Sequence, residues 1–336
     1  METARLAVQD GKRPNRIFQE AATKYLLENT HKASLKVDAR HLKQLMPFIG
    51  KLALKQVHDG TLATYIKARK KQGVKQKSIN NALGVVRRIL NLAARAWRDE
   101  FGLTWLETPP LLTLPSVRDA AKPYPLSWDE QRRLFSRLPK HLAEMALFKV
   151  NTGLRDQEVC QLQWQWEVDV PELKTSVFLI PAFIETDEGK QGLVKNREER
   201  LVVLNNTATS VIKARRGGHK QYVFTYQDKP IQRMHNNGWK RAWKDAELPV
   251  CGTYTKGVHN LKHTFGRRLR AAGVPLETRK VLLGHTNGDI TSHYSAPEIK
   301  ELLDAANKVC ESCQSGTGNM SADKMPTLTL LKRKAG

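Results

Sequence analysis

The sequence predicts a mainly helical chain with a small antiparallel β-sheet, an α+β class, divided into two domains. Three observations predict it. The chain has 336 residues, too many for one small core and suited to two domains of about 100–200 residues each. Apolar residues recur at helical spacing almost throughout, and only residues 177–204 switch to a β-prone pattern. Residues 107–125, ETPPLLTLPSVRDAAKPYP, carry five prolines, which stop helices and strands alike and read as a linker.

Each element follows in order. Residues 1–15 are polar and read as an N-terminal tail. Ile17, Ala21 and Tyr25 mark a first helix. Leu35, Leu42, Leu45 and Met46 mark a second, ending near Pro47 and Gly50. Leu62, Tyr65 and Ile66 mark a third, from about Thr61. The fourth and longest spans residues 78–100. Ile79, Leu83, Val86, Leu90, Ala93 and Trp97 form its apolar stripe, with Asn80, Arg87, Asn91, Arg95 and Arg98 on the other side. Residues 16–106 therefore read as a helical domain. Lys67, Arg69, Lys70, Lys71, Lys75 and Lys77 gather at one helix end and its loop. A run of charge is usually a solvated face, but the excess over acids here tilts the reading toward phosphate contact.

The second domain, residues 126–310, opens on a capping box in which Ser127 accepts from an early N–H and Glu130 reaches back. Helices are expected to about Leu138 and over residues 142–151. Val177-Phe-Leu-Ile180 and Leu201-Val-Val-Leu204 flank a charged turn cluster, a small antiparallel sheet with a hairpin tip. Helical pattern returns over residues 207–216, 232–246, 259–272, 275–283 and 297–309. Residues 311–336 are Ser/Gly-rich and end in an amphiphilic tail.

Lys and Arg number 56 against 33 Asp and Glu, a formal net charge of +23 and a pI near 10.0. Such an excess fits a polyanion partner, nucleic acid first and an anionic membrane surface second. No basic amphipathic helix with an exposed apolar face supports the membrane reading, no run of apolar residues spans a bilayer, and the N-terminus lacks a signal h-region. Four cysteines in a chain this long do not make a disulfide framework and fit a reducing compartment. Cys310 and Cys313 form a C-x-x-C without the second pair that zinc requires.

Four segments of the second domain carry the chemistry. Thr152-Gly-Leu-Arg155 is a glycine turn leading into a helix, with Glu158 three residues on; alone it reads as a surface ion pair. Val194-Lys195-Asn-Arg-Glu-Glu-Arg200 lies on the second arm of the hairpin. On a helix, His259, Lys262 and His263 share one face. The cation between the two histidines, and the lack of a third ligand, argue against a metal site. Leu283-Gly-His285 is followed by Ile290-Thr-Ser-His-Tyr294-Ser. Together, in this order, these segments resemble the tyrosine recombinase/phage integrase family over about residues 16–310, most specifically from His259 to Tyr294.

The chemistry explains the residue types. Attack on a phosphodiester gives a pentacoordinate phosphorane whose equatorial oxygens gain charge, and fixed cationic donors stabilise it. The resemblance implies that Tyr294 is the nucleophile, leaving a 3′-phosphotyrosyl link and a free 5′ hydroxyl. It implies that Arg155 clamps non-bridging oxygens and that Lys195 protonates the leaving oxygen. His259 would hydrogen-bond the phosphate or move the tyrosine proton, and His285 would donate to a phosphate oxygen. Glu158 resembles the family's acidic helper, and His263 reads as a packed or orienting residue. One position departs from the family, which usually has Arg where this chain has Lys262; the charge is kept but the bidentate fork is lost.

The resemblance further implies a two-domain DNA clamp: an N-terminal helical core-binding (SAM-like) domain and a tyrosine-recombinase catalytic domain. No metal or other cofactor is expected. The expected partners are double-stranded DNA target sites and three further copies of the chain in a homotetramer on synapsed DNA, with accessory DNA-bending or directionality factors as further candidates. The expected location is the cytoplasm, at the nucleoid. Residues 311–336 are a candidate segment for docking on a neighbouring subunit. The leading function is an integrase of a prophage or other mobile element. A chromosome-dimer resolvase or inversion recombinase is the alternative within the family. A catalytically weakened DNA-binding regulator, supported by Lys262 alone, is the alternative outside it.

Overall fold

The computed structural model describes residues 13, 15–186, 189–250, 254–285 and 295–310. Tyr294, His293, Cys313 and both terminal tails (residues 1–12 and 311–336) lie outside the described residues. The fold is mainly helical with small antiparallel sheets, and the chain divides into two compact units, Met1–Ala120 and Ala121–Gly336.

The first unit holds α1 (Phe18–Glu28), α2 (Leu35–Ile49), α3 (Asp59–Lys71) and α4 (Gln76–Arg95). α2 packs on the other three, and α4 supplies the broadest apolar face, burying Ile79, Leu83, Val86, Ile89 and Leu90 against Phe18, Tyr25, Leu42, Leu45 and Leu62. Each such side chain contributes about 1.5–3 kcal/mol on full burial. α3 starts two residues before the expected Thr61, because His58 caps it: its Nδ1 accepts from the Gly60 amide, and Thr61 Oγ1 accepts from the His58 amide. α4 stops at Arg95 instead of continuing to residue 100. Asp99 Oδ1 accepts from the amides of Phe101 and Leu103, and the backbone turns so that Trp97 packs against Trp105. Trp97 thus stays in the core after the helix has ended.

The proline-rich segment is not a free linker over its whole length. Leu112 is buried in the first core, Asp59 accepts from the Thr113 amide, Asn80 donates to the Pro115 carbonyl and Asp119 accepts from the Gln76 amide. Proline forbids regular structure but not packing, and the strap belongs to the first unit as far as Ala120.

The second unit opens with α5 (Trp128–Arg137), capped by the expected Ser127–Glu130 box, and α6 (Lys140–Thr152), buried along most of its length. A five-residue helix, α7 (Asp156–Cys160), follows. The sheet has the order β1–β2–β5, all antiparallel: Glu167–Val170, Thr175–Ile180 and Arg200–Val203, with Val177 opposite Val203. Strand β1 was not expected; Glu167 and Asp169 dilute its apolar pattern. β3 (Phe183–Thr186) and β4 (Gly189–Gly192) form a separate hairpin, so part of the expected turn cluster is strand. β4 ends at Gly192, which places Lys195 in the following turn and not on a strand arm.

Helices α8 (Asn206–Arg215), α9 (Asn237–Asp245), α10 (His259–Ala271), α11 (Leu276–Leu282) and α12 (Ala296–Asn307) complete the unit, with a hairpin of two-residue strands, β6 (Thr225–Tyr226) and β7 (Lys229–Pro230), between α8 and α9. α9 starts later than residue 232 because Asn236 caps it at the Trp239 amide. α10 packs on α6 and α11, so the Gly153 turn at the end of α6 lies against α10 and the end of α11. Among the described residues no helix is long and apolar enough to cross a membrane.

Candidate active site

The site begins at the end of α6. Gly153 terminates the helix with φ at 63°, a left-handed conformation that L side chains rarely adopt. A Cβ there would stand 2.6 Å from Phe265 of α10, so glycine answers both the turn and the close approach. Arg155 follows as the N-cap of α7. Its amide donates to Glu158 Oε2 at 2.7 Å and its guanidinium to Glu158 Oε1 at 2.8 Å. Its second guanidinium nitrogen reaches the Gly284 carbonyl at 3.1 Å.

Glu158 is fully buried and carries a second cation, Arg200 of β5. Burial pushes its carboxyl up, but Arg200 and the hydrogen bonds from Arg155 outweigh this and hold it below the usual carboxylate range. Arg200, itself buried, also donates to the Gly153 carbonyl at 3.1 Å and the Leu282 carbonyl at 3.3 Å. Lys262, on α10, donates to the Leu283 carbonyl. Three successive carbonyls at the C-terminal end of α11, those of residues 282, 283 and 284, therefore each accept from a different basic side chain. These are the orphan, partly negative acceptors of a helix end, so cations settle there naturally.

The imidazoles complete the cluster. His259 and His263, one turn apart on α10, meet edge to face with centroids 4.7 Å apart. Burial, then His263, Lys149, Lys262 and Arg155, push His259 down to about 4, so its ring is neutral at pH 7. Exposed His285, directly after the carbonyl series, is lowered by burial of part of its ring and by Lys262, Arg155 and Arg200. Lys262 itself is pushed down to about 6 by burial and then by Arg200 and Arg155. Lysine can release its proton in such a setting where arginine could not.

The structure thus brings Arg155, Glu158, His259, Lys262, His263 and His285 together from segments more than a hundred residues apart. Lys195 is exposed in the turn after β4, and Tyr294 lies outside the described residues. Arg200 and Lys149 were missed by the sequence reading. Lys149 had a signal: a lysine inside the apolar run Leu142-Ala-Glu-Met-Ala-Leu-Phe-Lys-Val. In the first unit, Lys67, Lys70 and Lys71 at the end of α3, and Lys75 and Lys77 after it, are exposed, while Arg69 is half-buried and bonded to Gln72. Arg87 and Arg95 are exposed on α4, two turns apart.

Chemically, the cluster is a set of donors. Its central carboxylate is already committed to two guanidiniums, whereas Arg155 keeps a partly exposed edge near His259 and His285. Such an arrangement stabilises a tetrahedral or pentacoordinate oxyanion.

Comparison with known proteins gives a consistent result. The model described as "Phage integrase family" matches residues 126–301. The integrase of Salmonella phage P22 is 23% identical over 349 residues, spanning 94% of this chain and 85% of that protein. A tyrosine recombinase of Pseudothermotoga lettingae is 27% identical over 285 residues, 80% of this chain and 89% of that protein. The Tn1549 transposon integrase in complex with transposon right-end DNA superposes with a TM-score of 0.62 at 17% identity, covering 96% of this chain and 100% of that one. A lambda integrase tetramer bound to a Holliday junction gives 0.58 at 15% identity, covering 87% and 83%. These structures share the fold.

Proposed function

This chain belongs to the phage integrase family, and from that premise we propose that it is a tyrosine-type site-specific DNA recombinase serving as the integrase of a prophage or other mobile element. The observation that carries the reading is that Arg155 and Lys262 meet on the carbonyl series at the end of α11, with His259 and His285 near enough for both to depress their imidazoles. Apart from Lys262, which stands where the family usually has arginine, these residues match the family's pattern in type and chain order.

In the proposed reaction the Tyr294 oxygen attacks the scissile phosphorus as the bond to the 5′ oxygen breaks. The tyrosine proton passes to a neighbouring acceptor, and His259 is assigned to hydrogen-bond the phosphate or to help move that proton. Lys195, carried on an exposed turn, supplies the proton that the leaving 5′ oxygen takes up. Arg155, Lys262 and His285 hold the non-bridging oxygens. Reversal, by a 5′ hydroxyl of another strand, restores the phosphodiester and frees Tyr294, so no nucleotide hydrolysis is needed. Lys262 is largely neutral before DNA binds, and an arriving phosphate favours its protonation. The site then gains charge as its substrate arrives.

Double-stranded DNA is the proposed substrate, and a homotetramer on two synapsed duplexes is the proposed working assembly, as in the lambda integrase tetramer bound to a Holliday junction. The basic residues of α3, α4 and the loop between them are assigned to phosphate contacts, and residues 311–336 to docking on a neighbouring subunit. The match to the phage P22 integrase along 94% of the chain supports integration over dimer resolution.

The test uses nicked, 5′-labelled duplexes tiled across the DNA on either side of the coding region. A detergent-stable protein–DNA adduct that forms in EDTA and disappears in Tyr294→Phe is the expected result. An adduct that persists in Tyr294→Phe refutes the nucleophile, and one that requires a divalent metal refutes the mechanism.

A further inference from the structure

Lys149 stands outside every role assigned above. It lies in the last turn of α6 and has no exposed surface at all. Its ammonium donates to the Leu154 carbonyl at 2.5 Å, the carbonyl that immediately precedes Arg155. The neighbouring carbonyl of the same turn, Gly153, is held by Arg200 from β5. On the far side, the Arg155 amide is held by Glu158. The backbone that launches the Arg155 side chain is therefore gripped on both sides, and two of the grips come from buried cations that do not reach solvent.

A buried lysine is an expensive way to fill a core. Taking an ammonium out of water costs several kcal/mol unless it is paired and hydrogen-bonded. What Lys149 returns is a hydrogen bond to one carbonyl and a positive charge beneath the site. That charge is close enough to be felt at His259 and Lys262.

We propose that Lys149 is a positioning residue for the recombination chemistry: it fixes the turn that aims Arg155 and adds a fixed positive field behind the scissile phosphate without touching it. This rests on the reading of the site as that of a tyrosine recombinase. A group at the end of a helix can set rate in this way because a misplacement of about 1 Å in a catalytic group costs on the order of 100-fold. Charges fixed before the reaction need no reorganisation during it. The groups that face Lys149 are Asp156, Glu158 and Cys160 of α7, Arg200 of β5, and His259 and Lys262 of α10. Burial, opposed by those acids, brings the Lys149 ammonium down to about 8.

Lys149→Met and Lys149→Gln, the latter keeping an N–H donor on a shorter stem, test the proposal against the full-length wild type. Adduct formation on the nicked duplexes in single turnover is expected to fall about 10- to 100-fold in Lys149→Met and less in Lys149→Gln. DNA affinity is expected to stay within about twofold, and the slower rate to persist at temperatures well below the variant's thermal midpoint. The wild-type rate is expected to decline as pH is raised through the deprotonation of Lys149, and both variants to lose that limb. Amide hydrogen exchange over residues 153–158 of the DNA-free protein is expected to quicken at least tenfold in Lys149→Met while the rest of the second unit is unchanged.

An unchanged adduct rate overturns the proposal. So does a lowered midpoint with the rate restored on cooling, since that is a stability role only. Unaltered exchange over residues 153–158 overturns it as well. If the wild type forms no adduct on any duplex yet exchange quickens in Lys149→Met, the grip on the turn stands and the recombinase reading falls.

Discussion

Glu158→Gln removes one negative charge from the centre of the site and changes almost no volume. In the wild type that carboxylate accepts from the Arg155 amide, the Arg155 guanidinium and the Arg200 guanidinium. Arg200 is 4% exposed and has no route to water that would replace the lost partner. A glutamine keeps one oxygen as acceptor and turns an NH2 donor toward a cation. Breaking a buried pair by removing one member costs about 3–5 kcal/mol. For a unit of this size each kcal/mol moves the thermal midpoint by about 2–4 °C, so the expected drop is about 6–20 °C. The sign with pH follows from the carboxyl being held low in the folded state. Its contribution is fully present above the unfolded carboxyl value of about 4.3, and it is lost as pH falls through the lower folded value. Calorimetry on wild type, Glu158→Gln, Arg200→Met and the double variant at pH 7 is the assay. The double variant is expected to be more stable than the sum of the singles, because it leaves no unpaired guanidinium at β5. A midpoint drop under about 2 °C for Glu158→Gln, or strict additivity in the cycle, would refute the account of Glu158 as the shared counter-ion.

Lys262→Arg is expected to slow adduct formation despite restoring the family's usual residue. A larger side chain must enter a site already filled by Arg155 and Arg200, and overpacking costs about 1–3 kcal/mol; a faster variant would show that lysine is a handicap here. Gly153→Ala is expected to lower the thermal midpoint. The left-handed backbone alone costs about 1–2 kcal/mol, before the new methyl meets Phe265, and an unchanged midpoint would show that the turn is not as tight as described. His259 titrates near 4 in the folded chain against about 6.5 unfolded, so the unfolded state binds more protons between those values and stability rises with pH across that window. His259→Asn should flatten the midpoint's dependence there; since the ring is partly exposed the effect is small, and a profile identical to wild type would remove His259 as its source. Lys70→Ala with Lys71→Ala should make the salt dependence of DNA binding shallower by about 0.9 per lost phosphate contact, whereas an unchanged slope would exclude both from the interface.

The sequence by itself determined the helical first domain, the two-domain division and the family. These are written in local terms: 3.6-residue periodicity in α1 to α4, the Ser127–Glu130 cap, and the ordered set from Thr152-Gly-Leu-Arg155 to Tyr294. Neighbours a few residues apart suffice to decide such features, because propensity, capping and the side-chain stripe act over one or two turns. The strap of residues 107–120 was not legible, since it is set by hydrogen bonds with distant parts of the chain, Asp59, Gln76 and Asn80, that periodicity does not see. The same holds for the interior of the site. Arg200 reads as one more charge at the end of a charged run, and Lys149 as an interruption in an apolar helix. Only the tertiary structure brings both under the Gly153 turn and sets three basic side chains on three successive carbonyls at the end of α11. The reason is physical. A charge reveals its partner only when both leave water, and that desolvation is a property of the packed fold rather than of any stretch of sequence.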